Sequence, residues 1–207
     1  AHLVGTPALV AAVDVQVVPA VLTVTKAPLT VRADNKGMIY GGSLPQFTVS
    51  ASGLRLGETA AVLGVNFTTS PGVVKNVGTY TINVSASSPN YAITALNGSF
   101  FGGKLTVSRA TVTVTVDNKT RAYGETNPEL TGSLSGVVVP DDVSVTYFTP
   151  AFSSQPIGTA LIWVSSMQGA SANNYVLYVP SPGTMTITKA PLRIVPANKS
   201  RLYGDAN

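Results

Sequence analysis

The sequence predicts a mostly-β protein made of tandem domains of about 80 residues, and three observations carry that expectation. Charged residues make up 11% of the 207-residue chain, where ~25% is usual, while Val, Thr, Ser, Ala and Gly dominate; β-branched residues at that density favour strands. Period-two alternation recurs, most plainly in "TVTVTV", where Val112, Val114 and Val116 face one way and Thr111, Thr113 and Thr115 the other. One phrase also appears three times, as "KAPLTVRADNKGMIYGG", "RATVTVTVDNKTRAYGE" and "KAPLRIVPANKSRLYGD".

Aligning the phrases puts Lys26, Arg109 and Lys189 in register, 83 and 80 residues apart, together with Asn35, Asn118 and Asn198 and then Tyr40, Tyr123 and Tyr203. The far ends match too: "GTYTINVS" from Gly78 answers "GTALIWVS" from Gly158, Asn90-Tyr91 answers Asn174-Tyr175, and "GKLTVSR" answers "GTMTITK". Residues 20–26, "AVLTVTK", carry the same ending. Tandem duplication explains all of this. It divides the chain into 1–26, the closing part of a preceding repeat; 27–109 and 110–189, two complete repeats; and 190–207, the start of a further one.

Within a repeat the first strand is the phrase itself, with Leu29-Val31-Ala33, Val112-Val114-Val116 and Leu192-Ile194-Pro196 as its inward positions. Further strands are expected over 47–52, 65–69, 79–85, 91–95 and 99–107, with Asn97-Gly98 as a hairpin turn before the last. Between the second and third, "RLGETAAVLG" and its counterpart "VPDDVSVTY" suggest one short helix with Glu58 or Asp141 in its first turn. That makes six strands and one helical turn per unit. Such a unit suits an Ig-like sandwich, and the helical segment equally suits a β-grasp arrangement. Either places the termini at opposite poles if the first and last strands run parallel. The last strand passes into the next first strand through "TKAPL" or "SRATV", so consecutive units are expected end to end across a short, stiff joint.

The pattern K-A-P-L-T-V-x-A-x-N-K-x-x-x-Y-G, followed by a G-T-Y turn, an N-Y strand and a closing G-x-L-T-V-x-K, resembles the MBG domains of the YGX type. The resemblance covers residues 20–207, with the Tyr-Gly signature at Tyr40-Gly41, Tyr123-Gly124 and Tyr203-Gly204. The second repeat departs from it where Tyr80 becomes Ala160, and the first lacks Asn-Pro after its Tyr-Gly. Such repeats form long arrays in large bacterial surface and secreted proteins, many of them adhesins. The resemblance therefore implies an extracellular, secreted or cell-surface, non-enzymatic structural region, an adhesin stalk or filament, whose partners are neighbouring repeats or like subunits. The alternative is an adhesive module that binds glycan or protein of a host or biofilm.

The residues themselves agree in arguing against an enzyme. There is no cysteine, hence no thiol nucleophile or disulfide framework, and the single histidine, His2, stands in the terminal fragment. The nine acids are scattered, with Asp141-Asp142 the one tight pair, so no convergent carboxylates for glycoside hydrolysis stand out. No cofactor is implied. Calcium at the joints is a minor alternative involving Asp34, Asp117 or Asp205, and it needs six to eight oxygens. "YGGS" and "FGGK" lack P-loop spacing and read as turns. No run is apolar and uninterrupted enough to span a membrane as a helix.

Net charge is +4 with a pI near 9.4. Ten of the thirteen basic residues fall in the three copies of the phrase instead of one patch, which argues against nucleic acid. Lys36, Lys119, Arg121, Lys199 and Arg201 are then candidate contacts for an acidic glycan, in rings one domain apart; the plainer reading is strand-end protection against edge-to-edge pairing. For the Tyr-Gly pair a structural role is expected, the ring buried and the hydroxyl bonded to backbone while glycine takes a positive φ. One difference between repeats is not required by the fold: Thr81, Asn83, Ala92 and Thr94 become Leu161, Trp163, Val176 and Tyr178. If the two strands pair as a hairpin, these four make one outward apolar patch, a candidate protein contact. The competing reading buries that face within its own domain.

Overall fold

The computed structural model describes residues 16, 18–204 and 206. Most of the segment 1–26, with His2, and Asp205 lie outside them.

The repeated phrase forms two strands rather than one. In the first repeat β1 (Ala27–Ala33) ends at Asp34-Asn35, and β2 (Lys36–Ile39) continues in a different sheet. The other strands are β3 (Val49–Ser52), β4 (Gly64–Ser70), β5 (Gly78–Ser87), β6 (Tyr91–Leu96) and β7 (Gly103–Ser108). They form two sheets in the orders β3-β1-β6 and β2-β7-β5-β4. The second repeat copies the plan with β8 (Ala110–Val116), β9 (Lys119–Ala122), β10 (Gly132–Ser135), β11 (Ser144–Phe148), β12 (Gly158–Gln168), β13 (Tyr175–Tyr178) and β14 (Gly183–Thr188). Its sheets run β10-β8-β13 and β11-β12-β14-β9. Each repeat thus has seven strands, one more than the sequence pattern suggests, because the phrase crosses from one layer to the other.

Asparagine explains the crossing. At the break between β1 and β2 the Asn35 side-chain oxygen accepts the Lys104 backbone N–H at 2.8 Å, and Asn118 accepts that of Thr184 at 2.8 Å. The start of each closing strand is thereby tied to the kink. A side chain on Gly103 would run into the Ala33 and Asp34 carbonyls there, so the close approach needs glycine.

The two sheets face each other across a core that alternation makes legible. Leu29, Val31 and Ala33 of β1 meet Tyr80, Ile82 and Val84 of β5, Leu105 and Val107 of β7 and Tyr91 of β6 in one cluster. In the second repeat Val112, Val114, Ile162, Met185 and Tyr175 are equally buried. Each aliphatic side chain so buried contributes about 1.5–3 kcal/mol. This is the sandwich and not the β-grasp alternative, since no helix longer than one turn covers a sheet among the described residues.

Two local expectations need correction. Asn97-Gly98 is no hairpin turn: β6 pairs with β1 while β7 pairs with β5 and β2, so the chain changes sheet there through a helical turn at Gly98–Phe101. Asn97 instead bridges to β5, accepting from Val84 N at 2.8 Å and donating to Val84 O at 2.9 Å. The short helix holds in the first repeat only as a 3-10 turn at Ala60–Val62, beyond Glu58. The second repeat has none in "VPDDVSVTY" and places its 3-10 turn at Ala172–Asn174.

The opening and closing strands run parallel, β2 with β7 and β9 with β14, and the ends of each repeat therefore lie at opposite poles. Residues 18–26 and 189–202 form no strand; Leu22, Val24, Leu192 and Ile194, counterparts of core positions, are more than 80% exposed.

Candidate functional site

The most specific chemistry lies where the first repeat meets the second. A single residue, Arg109, separates β7 from β8. Its guanidinium Nε donates to the Asn173 carbonyl at 3.1 Å, fixing the connector against the second repeat.

Around it the Tyr-Gly turn of repeat one docks on the near pole of repeat two. The Tyr40 backbone N–H bonds to Ser108 O at 2.8 Å, holding the turn against the end of β7. The Tyr40 ring then meets the Tyr175 ring edge to face at a centroid distance of 5.4 Å, a favoured aromatic geometry. Its hydroxyl donates to Asp141 Oδ2 at 2.9 Å, and the Tyr175 hydroxyl donates to the same oxygen. Val138 N donates to the Tyr175 hydroxyl at 2.9 Å, so the phenol is held from both sides. Gly41 sits at φ 76° directly against the Val138 side chain, where a Cβ has no room. Beside this, Asn174 accepts from Val77 N at 3.0 Å and donates to Asn76 Oδ1 at 3.2 Å, bridging to the loop before β5.

The electrostatics follow from these bonds. Hydrogen bonds from the Tyr175 and Tyr40 hydroxyls hold the Asp141 carboxyl below its ordinary value. Burial, then the Asp141 bond, pushes the Tyr175 phenol up to about 12, and the same two causes raise Tyr40. The joint is thus held by neutral phenols and one carboxylate.

Asp141 and Glu58 therefore act as acceptors rather than helix-start residues. In the first repeat the Tyr91 hydroxyl donates to Glu58 Oε2 at 2.5 Å and accepts from Arg55 N at 2.9 Å, copying Tyr175, Asp141 and Val138. The alignment of Asn90-Tyr91 with Asn174-Tyr175 gave the signal for the tyrosines; nothing local in the sequence marks the acids as their partners. The expectation that the signature tyrosine bonds to backbone is likewise corrected, since Tyr40 reaches a carboxylate 101 residues away.

The other candidate residues are dispersed. Leu161, Trp163, Val176 and Tyr178 are all outward, 43–57% exposed, but β12 and β13 belong to opposite sheets, so the expected hairpin and single patch do not form. Ile162 points inward on β12 and Tyr175 on β13, which sends the two pairs of outward side chains to opposite faces. The Trp163 face gains a member that strand comparison missed: Phe148, 57% exposed, lies opposite Trp163 in the register of β11 and β12, past a bulge at Thr146/Tyr147.

Among the candidate glycan cations, Arg121 is 4% exposed and unable to reach a ligand. It stands where the first repeat has Met38, and its guanidinium is used internally, donating to Asn127 Oδ1 at 2.7 Å and Phe152 O at 2.5 Å. Lys119 is half-buried and donates to Thr131 Oγ1 at 2.6 Å. Lys36 is half-buried too, whereas Lys199 and Arg201 are exposed. Of the carboxylates considered for calcium, Asp34 is engaged by Thr48 and Ser50 and Asp117 by Thr131, while Asp205 lies outside the described residues. No group of three or more His, Asp or Glu side chains converges among the described residues. Nor is any described helix long and apolar enough to cross a membrane.

Sandwich repeats with matched poles, joined through one residue and a tyrosine-carboxylate contact, define a class of tandem β-domain array. The chain belongs to the MBG domain family of the YGX type, whose family model matches it twice, over residues 29–101 and 112–186. No curated protein matches the chain. Tandem MBG repeats fit a structural or adhesin-like repeat region.

Proposed function

We propose that the chain is a non-enzymatic spacer from an extracellular bacterial surface protein, a stalk or filament segment in which each repeat sets the direction of the next. The observation that carries this is the joint. A one-residue connector leaves little play, and the Tyr40, Asp141, Tyr175 and Asn174 contacts select one relative orientation of the two sandwiches. Length then grows in proportion to repeat number.

Ala27 to Ile39 runs nearly the full height of a repeat, which at ~3.3 Å per residue gives about 40 Å. Small-angle X-ray scattering on chains carrying residues 27–109 once, twice and four times in tandem tests the reading. A maximum dimension that rises by a constant increment near that length supports a stiff spacer. Growth as the square root of repeat number, the behaviour of a flexible tether, refutes it.

A second reading, an adhesive module for glycan or protein, is favoured by one feature, the exposed Phe148, Leu161 and Trp163 on one outer face of the second repeat. Salt-resistant retention of the chain on a glycan array, lost in Trp163→Ala, supports it; absence of binding leaves the spacer.

A further inference from the structure

The far pole of the first repeat is built like the pole that receives Tyr40, and although Tyr91 is buried there, Asn90 and Arg55 stay exposed and no Tyr-Gly turn among the described residues sits on them. Superposing the two repeats by sequence places Glu58 on Asp141, Tyr91 on Tyr175, Asn90 on Asn174 and Arg55 on Val138. The internal bonds are copied as well, Tyr91 to Glu58 and Arg55 N to Tyr91, so the receiving surface is formed before any partner arrives. What differs is cover. Asn174 is 7% exposed and bonded across the joint, while Asn90 is exposed. A cleft of about 280 Å³ opens here between Arg55, Glu58, Asn90 and Tyr91 and the incoming residues Val24, Thr25 and Lys26.

We infer that this cleft is the docking site for the Tyr-Gly turn of another MBG repeat, the one that runs into Ala27 through residues 20–26. Two observations choose that occupant. Residues 20–26 repeat the sequence that ends β7 and β14, so the segment that closes a repeat reaches the rim of the cleft. In the joint seen within the chain, the Tyr-Gly turn is anchored to that same closing strand, Tyr40 N to Ser108 O, which puts the corresponding anchor at Thr25. The anchored turn reaches the next pole without searching. Its phenol donates to Glu58 and meets the Tyr91 ring at its edge, as Tyr40 meets Tyr175, and its loop before the fifth strand bonds to Asn90. Lys26 already marks the approach, its Nζ donating to Ser88 O at 3.1 Å much as Arg109 binds Asn173 O. The inference rests on the reading of the chain as an array and adds to it the chemistry of recognition, one phenol to one carboxylate at every joint.

The chain has no cysteine, which allows a direct test. Residues 27–109 are duplicated in place between Lys26 and Ala27, so that an added repeat runs into the original one while the whole chain is retained. Asn76→Cys in the added copy and Asn90→Cys in the following copy form the probe pair. Asn76→Cys with Asn174→Cys in the unextended chain, where the two amides meet at 3.2 Å, is the control. The inference expects an intramolecular disulfide in the duplicated chain to the same extent as in the control. No cross-link while the control closes overturns it. So does a cross-link that appears only between molecules and rises with concentration, which assigns the cleft to a second copy.

A second measurement avoids cysteine: Tyr40→Phe in the added copy and Glu58→Gln in the following copy are compared singly and together in denaturant unfolding. The expected coupling is about tenfold in the equilibrium constant, and strict additivity counts against the inference. Either result is independent of whether the array is stiff, which the scattering series measures.

Discussion

Replacing Tyr40 by alanine separates what the residue does for its own repeat from what it does for the next. The ring packs against both cores, against the first through β2 and against the second beside Tyr175, Val137 and Val138. A fully buried aromatic costs about 3–5 kcal/mol on truncation, and Tyr40 is half-buried, so about 2 kcal/mol is expected, of which the edge-to-face pair supplies about 1. The share felt by the second repeat corresponds to a roughly fivefold or larger drop in its folding constant. Trp163 is the one tryptophan in the chain, so its fluorescence reports repeat two alone, while far-UV circular dichroism reports both repeats. In the unaltered chain the two signals change together in denaturant, and in Tyr40→Ala the tryptophan transition moves to lower denaturant and away from the whole-chain signal. A Trp163 transition that stays in place while only the other repeat weakens refutes the joint, and reduces Tyr40 to a core residue of its own domain.

Further outcomes are expected elsewhere in the molecule. Ile162→Ala costs about 2–5 kcal/mol by calorimetry, because the side chain is fully buried, whereas Trp163→Ala, one residue on and facing outward, costs under about 1 kcal/mol. Arg121→Ala leaves the Phe152 carbonyl and Asn127 without their donor and destabilises repeat two by about 1–3 kcal/mol, with no change in retention on an acidic polysaccharide column. Acid weakens the joint. Because the Asp141 value is lowered by folding, its contribution is complete above the ordinary 3.8 and disappears as pH falls through the lowered value. Asp34, lowered by Ser50 and Thr48, follows the same sign within repeat one, so Asp141→Asn flattens the acid limb of the Trp163 transition and leaves that of repeat one in place. Alkali acts later: the Tyr175 contribution is complete below its ordinary value of 10.0 and lost as pH rises through about 12, visible as delayed phenolate absorbance.

Period and repetition made the sandwich legible, because alternation such as Thr111 to Val116 states which side chains enter the core, and because duplication reveals where one unit ends. Pairing was less accessible. The strand holding Trp163 and the one holding Val176 are neighbours in sequence, with twelve residues between the two positions, and that short distance suggests a hairpin. The chain instead uses that connection to change sheets, leaving β13 to pair with β8. Charge also misled at Arg121, where a cation in a repeated basic phrase sits at the position of Met38 and fills an interior space with internal bonds. The joint required two partners far apart in the chain. Tyr40 and Tyr175 were visible as repeated residues, but Asp141 lies in a turn with no period and is recognised only once both hydroxyls converge on it.

The parallel pairing of opening and closing strands has a consequence under load. When a repeat is pulled from its two poles, the force enters through β1-β2 at one end and leaves through β7 at the other. Because β2 and β7 lie side by side and point the same way, the ladder from Lys36 opposite Leu105 to Ile39 opposite Ser108 is loaded in shear. Its hydrogen bonds must then break together instead of one after another, as they would in a peeled hairpin. The same arrangement in β9 and β14 gives each successive repeat its own rupture point, so a stretched array yields one domain at a time.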